Sequence, residues 1–456
     1  MFPMALVNAH KLIDEAKFGK FHWNVLFWTA LIIIFDGYDL VIYGVVLPVL
    51  MKEWHLDPIQ AGTLGSYALF GMMFGALTFG SLSDRFGRKP VIAVCVVLFS
   101  LFTVLNGFVR DTTEFAICRF VAGLGIGGVM PNAVALMTEY APKRLRSTLV
   151  AVMFSGYSVG GMLSAGLGMT LIPVYGWSAV FFVAAVPLLL LPVILFLLPE
   201  SIGFLIKAGR TAEAADKLAR LEPSYKPQPG DEISFPTGAT GQASLPALFA
   251  GGRGVSTVMF WIAFFMCLLM VYALGSWLPK LMNNAGYGLG SSLSFLLVLN
   301  FGAIFGAVGG GHIADRMNLK RVLVAFFVIA AISISLLGVK SPTLVLYVLV
   351  AVAGATTIGT QILLYAYVAQ FYPMAIRSTG IGWASGVGRS GAILGPVLGG
   401  TLLAWKLPLM QNFMAFAVPG VIAAIAMSLV VRGAQHAPEE ERDLAFAAET
   451  GMMEPD

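Results

Sequence analysis

Apolar residues gather into twelve long runs with short polar stretches between them: 24–49, 59–83, 91–109, 115–138, 147–171, 178–198, 256–282, 289–314, 321–339, 342–367, 379–404 and 411–431. Each is close to or above the roughly 20 residues that a helix needs to cross the hydrocarbon layer, and the longer runs have length to tilt. Lipid offers the backbone no hydrogen-bond partners, so helices are the expected spanning element. The pattern predicts an all-α membrane protein with twelve transmembrane helices. The one long polar segment divides six runs from six. It predicts an N-terminal six-helix bundle (1–198), a linker loop (199–255), a C-terminal six-helix bundle (256–431) and a tail (432–456).

Composition supports this class. Hydrophobic residues make up 58% and charged residues 11%, against about 25% charged in soluble domains. The net charge is small, but Lys and Arg are unevenly spread. With the N-terminus inside, the inner segments hold twenty-one of them and the outer loops five. That asymmetry predicts cytoplasmic termini and a cytoplasmic linker. Cys95, Cys118 and Cys267 lie inside apolar runs, with neither metal spacing nor a disulfide framework. Gly123-Leu124-Gly125-Ile126-Gly127 has no strand before it and no Lys-Ser/Thr after it, so it does not read as a phosphate loop. No nucleophile, base and orienting group converge, no ATP motif is present, and no cofactor, metal or nucleic-acid partner is expected.

The chain is duplicated. Gly80-Ser81-Leu82-Ser83-Asp84-Arg85 resembles Gly311-His312-Ile313-Ala314-Asp315-Arg316, a separation of 231 residues (311 − 80). Pro142-Lys143-Arg144-Leu145-Arg146-Ser147-Thr148 matches Pro373-Met374-Ala375-Ile376-Arg377-Ser378-Thr379 at the same separation. Repeated bundles are the usual architecture of carriers that rock one half against the other.

Against that symmetry, the charges are unshared. Asp36 and Asp39 sit in the middle of the first run, where an ionised acid costs at least a few kcal/mol by insertion scales, about 2.5–3.5. Three apart, they share a helix face, which Tyr43 extends. Shifted by 231, Asp36 meets Cys267 and Asp39 meets Met270, while Ser158 meets Arg389. Between Glu232 and Glu439 the only carboxylate is Asp315, in the loop motif. Acids are therefore loaded into the first half and a deep arginine into the second.

Gly80 to Lys89 resembles the loop signature of the major facilitator superfamily, and Arg119-Phe120-Val121-Ala122-Gly123 and Pro199-Glu200-Ser201 are similar to two of its other motifs. Asp36-Gly37-Tyr38-Asp39, with Arg377 and Arg389, resembles the aromatic acid:proton symporters, nearest the benzoate permease branch. The second loop copy departs from the pattern, with Met317-Asn318 in place of Phe86-Gly87.

The resemblance implies a carrier of a small aromatic carboxylate in a bacterial inner membrane, acting as a monomer in the bilayer. It puts proton coupling on Asp36, Asp39 and Arg119. Substrate binding falls to Arg389, whose fixed charge and fork suit a carboxylate, and to Tyr43, Tyr157 and Trp383 as aromatic walls, with Tyr272, Trp277 and Tyr365 as further candidates. Gating falls to Asp84, Arg85, Arg88, Glu139 and Arg146, and to Asp315, Arg316 and Arg377. Benzoate comes first, then 4-hydroxybenzoate or a related hydroxylated benzoate. Rival readings are a carrier of another organic acid such as muconate, a sugar carrier, a drug exporter and a sensor of aromatic acids.

Overall fold

A computed structural model of the chain describes residues 6–227, 232–234, 245–372 and 374–431. Among them are twelve segments long and apolar enough to cross a membrane. They are α1 (Lys20–Glu53), α2 (Pro58–Phe86), α3 (Arg88–Asn106), α4 (Thr112–Tyr140), α5 (Arg146–Tyr175), α6 (Ser178–Leu197, interrupted at Val183 and Ala184), α7 (Gly254–Asn284), α8 (Leu289–Arg316), α9 (Leu319–Leu336), α10 (Thr343–Phe371), α11 (Met374–Ala404) and α12 (Leu409–Leu429). Every expected run is one of them. At 34 residues, α1 is about 51 Å long, well beyond the hydrocarbon layer.

Local chemistry sets the helix ends. Asp57 accepts from the Ile59 and Gln60 amides at 2.8 and 2.9 Å, and Gln60 returns a bond from the Asp57 amide, which starts α2 as a capping box. Asp111 does the same work for α4, accepting from Thr113 and Glu114. Between α2 and α3 the chain turns at Gly87, whose φ of 95° suits glycine. At the equivalent turn in the second half, Asn318 has φ −62° and caps α9 with its own side chain. The departure from the loop pattern at Met317-Asn318 is thus an exchange of one helix-start device for another.

By packing, the chain forms two units, Met1–Tyr43 with Tyr67–Gly238, and Gly44–Ser66 with Ala239–Asp456. The division differs from the one drawn by sequence at residues 44–66, which pack with the second unit. There the Ser66 hydroxyl donates to the Ile393 carbonyl at 2.5 Å, and Gly62 and Gly400 lie against the backbone of Pro396 and Pro58.

Within each unit, glycines bring helices into backbone contact, as small residues do in membranes. In the first, a methyl group added at Gly71, Gly75, Gly123 or Gly160 would collide with Phe120, Leu124, Ala68 or Ile34. In the second, the same holds for Gly302 with Ala351, Gly306 with Ala355, Gly354 with Leu299 and Gly391 with Phe265. Every member of the second set lies 231 residues after its counterpart. The duplication therefore reaches individual contacts, α2–α4 repeated as α8–α10 and α1–α5 as α7–α11.

Among the described residues, one pair of strands accompanies the helices. Leu6–Asn8 pairs in parallel with Glu232–Ser234 in the linker, Val7 opposite Ile233. Three-residue strands carry too little periodicity to be visible in a sequence.

Candidate functional site

A fully buried polar cluster of the first unit centres on Asp39 of α1. Asp39 and Arg119 of α4 are each 1% exposed. Arg119 Nη1 donates to Asp39 Oδ1 at 3.1 Å, and Nη2 donates to the Asp39 carbonyl oxygen, also at 3.1 Å. The Thr103 hydroxyl of α3 donates to the same Oδ1 at 2.5 Å. Three helices thus converge on one carboxylate. Asp39 Oδ2 and Arg119 Nε have no partner among the described residues. A single fully buried ion pair of this kind is a weak source of stability, because desolvation offsets most of the attraction.

The second unit supplies the control. The positions equivalent to Asp39, Thr103 and Arg119 are Met270, Ile334 and Val350, all buried. The same three-helix junction is filled there by apolar side chains. The scaffold does not need the charges, so their presence in the first unit calls for a functional explanation.

Asp36 is also fully buried, one turn back on α1. Next to it, Gly37 lies directly against the Tyr157 backbone of α5, and Gly160 against Ile34 and Tyr38. Tyr157 is half-buried, and α5 meets α1 on the side turned away from the acids, because Gly37 lies about 100° and about 160° around the helix from Asp36 and Asp39. Tyr43 is 2% exposed. Its ring lies 6.1 Å from Phe115, which packs edge-on with Phe181 and Trp177. Tyr43 belongs to a packed aromatic cluster as well as to the aspartate face.

In the second unit Arg389 lies half-buried on α11. One turn before it, Ser385 accepts a hydrogen bond from the Tyr365 hydroxyl of α10 at 3.2 Å, and the Tyr365 ring packs edge-on against Phe264 at 4.9 Å. Ser385 and Arg389, four residues apart, leave α11 on the same face, and Tyr365 is tied to that face through Ser385. Trp383 is 44% exposed and stacks on Trp261, ring centroids 5.8 Å apart.

The expected gating residues separate into two groups. Arg88 and Glu139 form an ion pair. Glu139 also accepts from the Ser201 hydroxyl and from the Gly203 amide at 2.7 Å. Glu200 accepts from the backbone amides of Arg88, Lys89 and Ser201 at 2.9, 3.2 and 2.8 Å, so it caps α3 from a distant part of the chain. Arg146 pairs instead with Asp14 at 2.6 Å and donates to the Ala141 carbonyl at 3.3 Å. Arg377 repeats that last contact, donating to the Tyr372 carbonyl at 3.4 Å. Burial pushes the Tyr372 phenol up, opposed by the hydrogen bond with Thr257 and by Arg253. Asp84, Arg85 and Arg316 are exposed and join neither cluster, and the guanidinium of Arg85 lies over the Phe86 ring. The Asp315 side chain lies outside the described residues.

Sequence reasoning missed Thr103, Asp14 and Ser385. A single hydroxyl in an apolar run is unremarkable by itself. Comparing the halves would have found Thr103, because its counterpart is Ile334.

The family model described as Major Facilitator Superfamily matches residues 29–318 and 296–451. A benzoate transport protein of Acinetobacter baylyi is 49% identical over 97% of this chain and 97% of its own length. A gentisate transporter of Corynebacterium glutamicum is 38% identical over 88% and 85%. The solved structure of the xylose transporter XylE from E. coli, partially occluded and inward open, superposes with a TM-score of 0.71 at 18% identity, covering 92% of this chain and all of that one, which speaks to the fold alone. The chain therefore belongs to the Major Facilitator Superfamily, in the branch that holds these aromatic acid carriers, and is a transporter rather than an enzyme.

Proposed function

We propose that the chain is a proton-coupled symporter that imports an aromatic carboxylate by alternating access, benzoate first and then 4-hydroxybenzoate or a related hydroxylated benzoate. It works in a bacterial inner membrane, as a monomer, with both termini in the cytoplasm. One observation carries the reading: a fully buried Asp39–Arg119 pair occupies a junction that the repeated unit fills with Met270 and Val350. The 49% identity to a benzoate transport protein supports the substrate class.

Asp39 is the proton carrier. A proton taken up on its carboxylate cancels the charge that Arg119 faces, turning an ion pair into a weaker hydrogen bond, and lets the two-state carrier move. Release of the proton restores the pair. Asp36 tunes this exchange from one helical turn away. In the second unit Arg389 holds the substrate carboxylate through its guanidinium fork. In the same unit Tyr365 and Ser385 meet ring substituents and Trp383 walls the ring. The Arg88–Glu139–Ser201 cluster, with Arg146 and Arg377, latches the cytoplasmic side.

The test is uptake of labelled benzoate, 4-hydroxybenzoate and muconate by intact and everted cells, with and without an uncoupler. The expected result is concentrative benzoate uptake in intact cells that the uncoupler collapses. Accumulation indifferent to the uncoupler, or a preference for muconate, contradicts the proposal.

A further inference from the structure

The α3 helix carries three polar side chains on one buried face, Ser100, Thr103 and Asn106, each 0% exposed. Spacing of three residues sets them about 4.5 Å apart along the helix axis, a step that one water molecule can bridge. Thr103 is bound to Asp39. The Ser100 hydroxyl and both polar atoms of the Asn106 amide have no partner among the described residues, and neither does Asp39 Oδ2. Polar groups buried without partners are destabilising, and in folded proteins they are met by internal water.

The repeat again separates scaffold from load. At the equivalent positions on α9 and just past its end stand Ala331, Ile334 and Leu337, all buried. The fold accommodates an apolar seam there, so packing does not require the polar one. The polar seam occurs in the unit that holds the Asp39–Arg119 pair, and it touches that pair.

We infer that Ser100, Thr103 and Asn106 form a water-holding track along α3 that serves Asp39, open to the outer end of the first unit through Asn106 and continued inward past Thr103 by Ser100. Asn106 is the last residue of α3, the end that the Lys and Arg distribution puts outside. The track runs inside the first unit and does not use the substrate residues. The ionisable groups around Asp39 are Asp36 on its own helix, with the phenols of Tyr38 and Tyr43, and Arg119 on α4. α6, which also packs on α3, has none, and the hydroxyls and amide of the α3 seam are neutral hydrogen-bonding groups that hold the water through which the proton passes. The inference rests on Asp39 being the proton carrier.

The experiment installs the repeat's own residues, Ser100→Ala and Asn106→Leu, singly and together, in protein reconstituted into liposomes. Two rates are measured with benzoate: counterflow, which needs no net proton movement, and uptake driven by an imposed pH gradient. In the double variant counterflow stays at the wild-type rate while gradient-driven uptake falls about tenfold, equivalent to about 1.4 kcal/mol of barrier. Asn106→Ser, which keeps a hydrogen-bonding group, stays near wild type. Wild-type gradient-driven uptake in the double variant overturns the track, and so does an equal loss of both rates. Asp39→Asn is run alongside: if it still accumulates substrate uphill, the fault lies with the proton-carrier assignment and not with the seam.

Discussion

Replacing Asp39 separates its chemical role from its structural one. In Asp39→Asn the side chain keeps an acceptor for Thr103 and Arg119, and the main-chain bond to Arg119 is untouched. Two bonds to a charged acceptor become bonds to a neutral one, a loss of about 1 kcal/mol each. The variant should fold, with about 2 kcal/mol less stability by the same reckoning. Asp39→Met, the residue found at 270 in the repeat, is far worse, because it leaves the Arg119 guanidinium buried beside an apolar chain at a cost of about 3–5 kcal/mol. Adding Arg119→Val, the residue found at 350, removes the stranded charge, and the double variant should regain most of that loss. Thermal unfolding in detergent reads the stabilities, and benzoate uptake with and without an uncoupler reads the coupling. All three variants lose uphill accumulation, whatever their stability. Concentrative, uncoupler-sensitive uptake by Asp39→Asn would falsify the proton role. A double variant no more stable than Asp39→Met refutes the claim that the pair is an added load on a scaffold that can do without it.

Much of this architecture is legible in the chain. Twelve apolar runs become twelve helices because lipid leaves the backbone no other way to be satisfied. The repeat of Gly80–Arg85 and Pro142–Thr148 at one separation foretold contacts as fine as Gly71–Phe120 and Gly302–Ala351. The acids were visible because charge in an apolar run is expensive. Which acid meets Arg119 was not visible: Asp36 and Asp39 share a face, and only the placement of α3 and α4 favours the second. The Glu200 cap on α3 was hidden for a related reason, since it joins residues more than a hundred positions apart. Tyr43 shows the limit of face arguments. Its helical phase matched Asp39, but an aromatic ring also satisfies itself by packing, here near Phe115. The N-terminal strand pairing left no trace because it consists of backbone hydrogen bonds over three residues.

Other perturbations test the remaining parts. Arg389→Lys keeps the charge but loses the two-pronged fork, and should raise the apparent KM for benzoate by about tenfold or more, the worth of one charge-assisted bond; an unchanged KM removes Arg389 from the substrate site. Glu139→Gln cuts the ion pair with Arg88 while keeping acceptors for Ser201 and Gly203. It should shift the carrier toward cytoplasmic opening, read as faster labelling of a cysteine introduced on that side, and an unaltered labelling rate denies the latch. Glu200→Ala should lower stability by about 1 kcal/mol, the usual worth of a helix cap, through the start of α3. The glycine crossing between α1 and α5 is tested in the same way. A side chain at Gly160 meets the Ile34 carbonyl and the Tyr38 amide, backbone atoms that cannot turn aside. Gly160→Leu must therefore push α1 away from α5 and take the Asp39 segment with it, so expression as a monodisperse species should collapse. Gly166→Ala, two turns along the same helix with nothing within 4 Å of its added methyl, should be neutral. If both variants are produced and transport alike, close approach of α1 and α5 is not what holds the acidic segment in place.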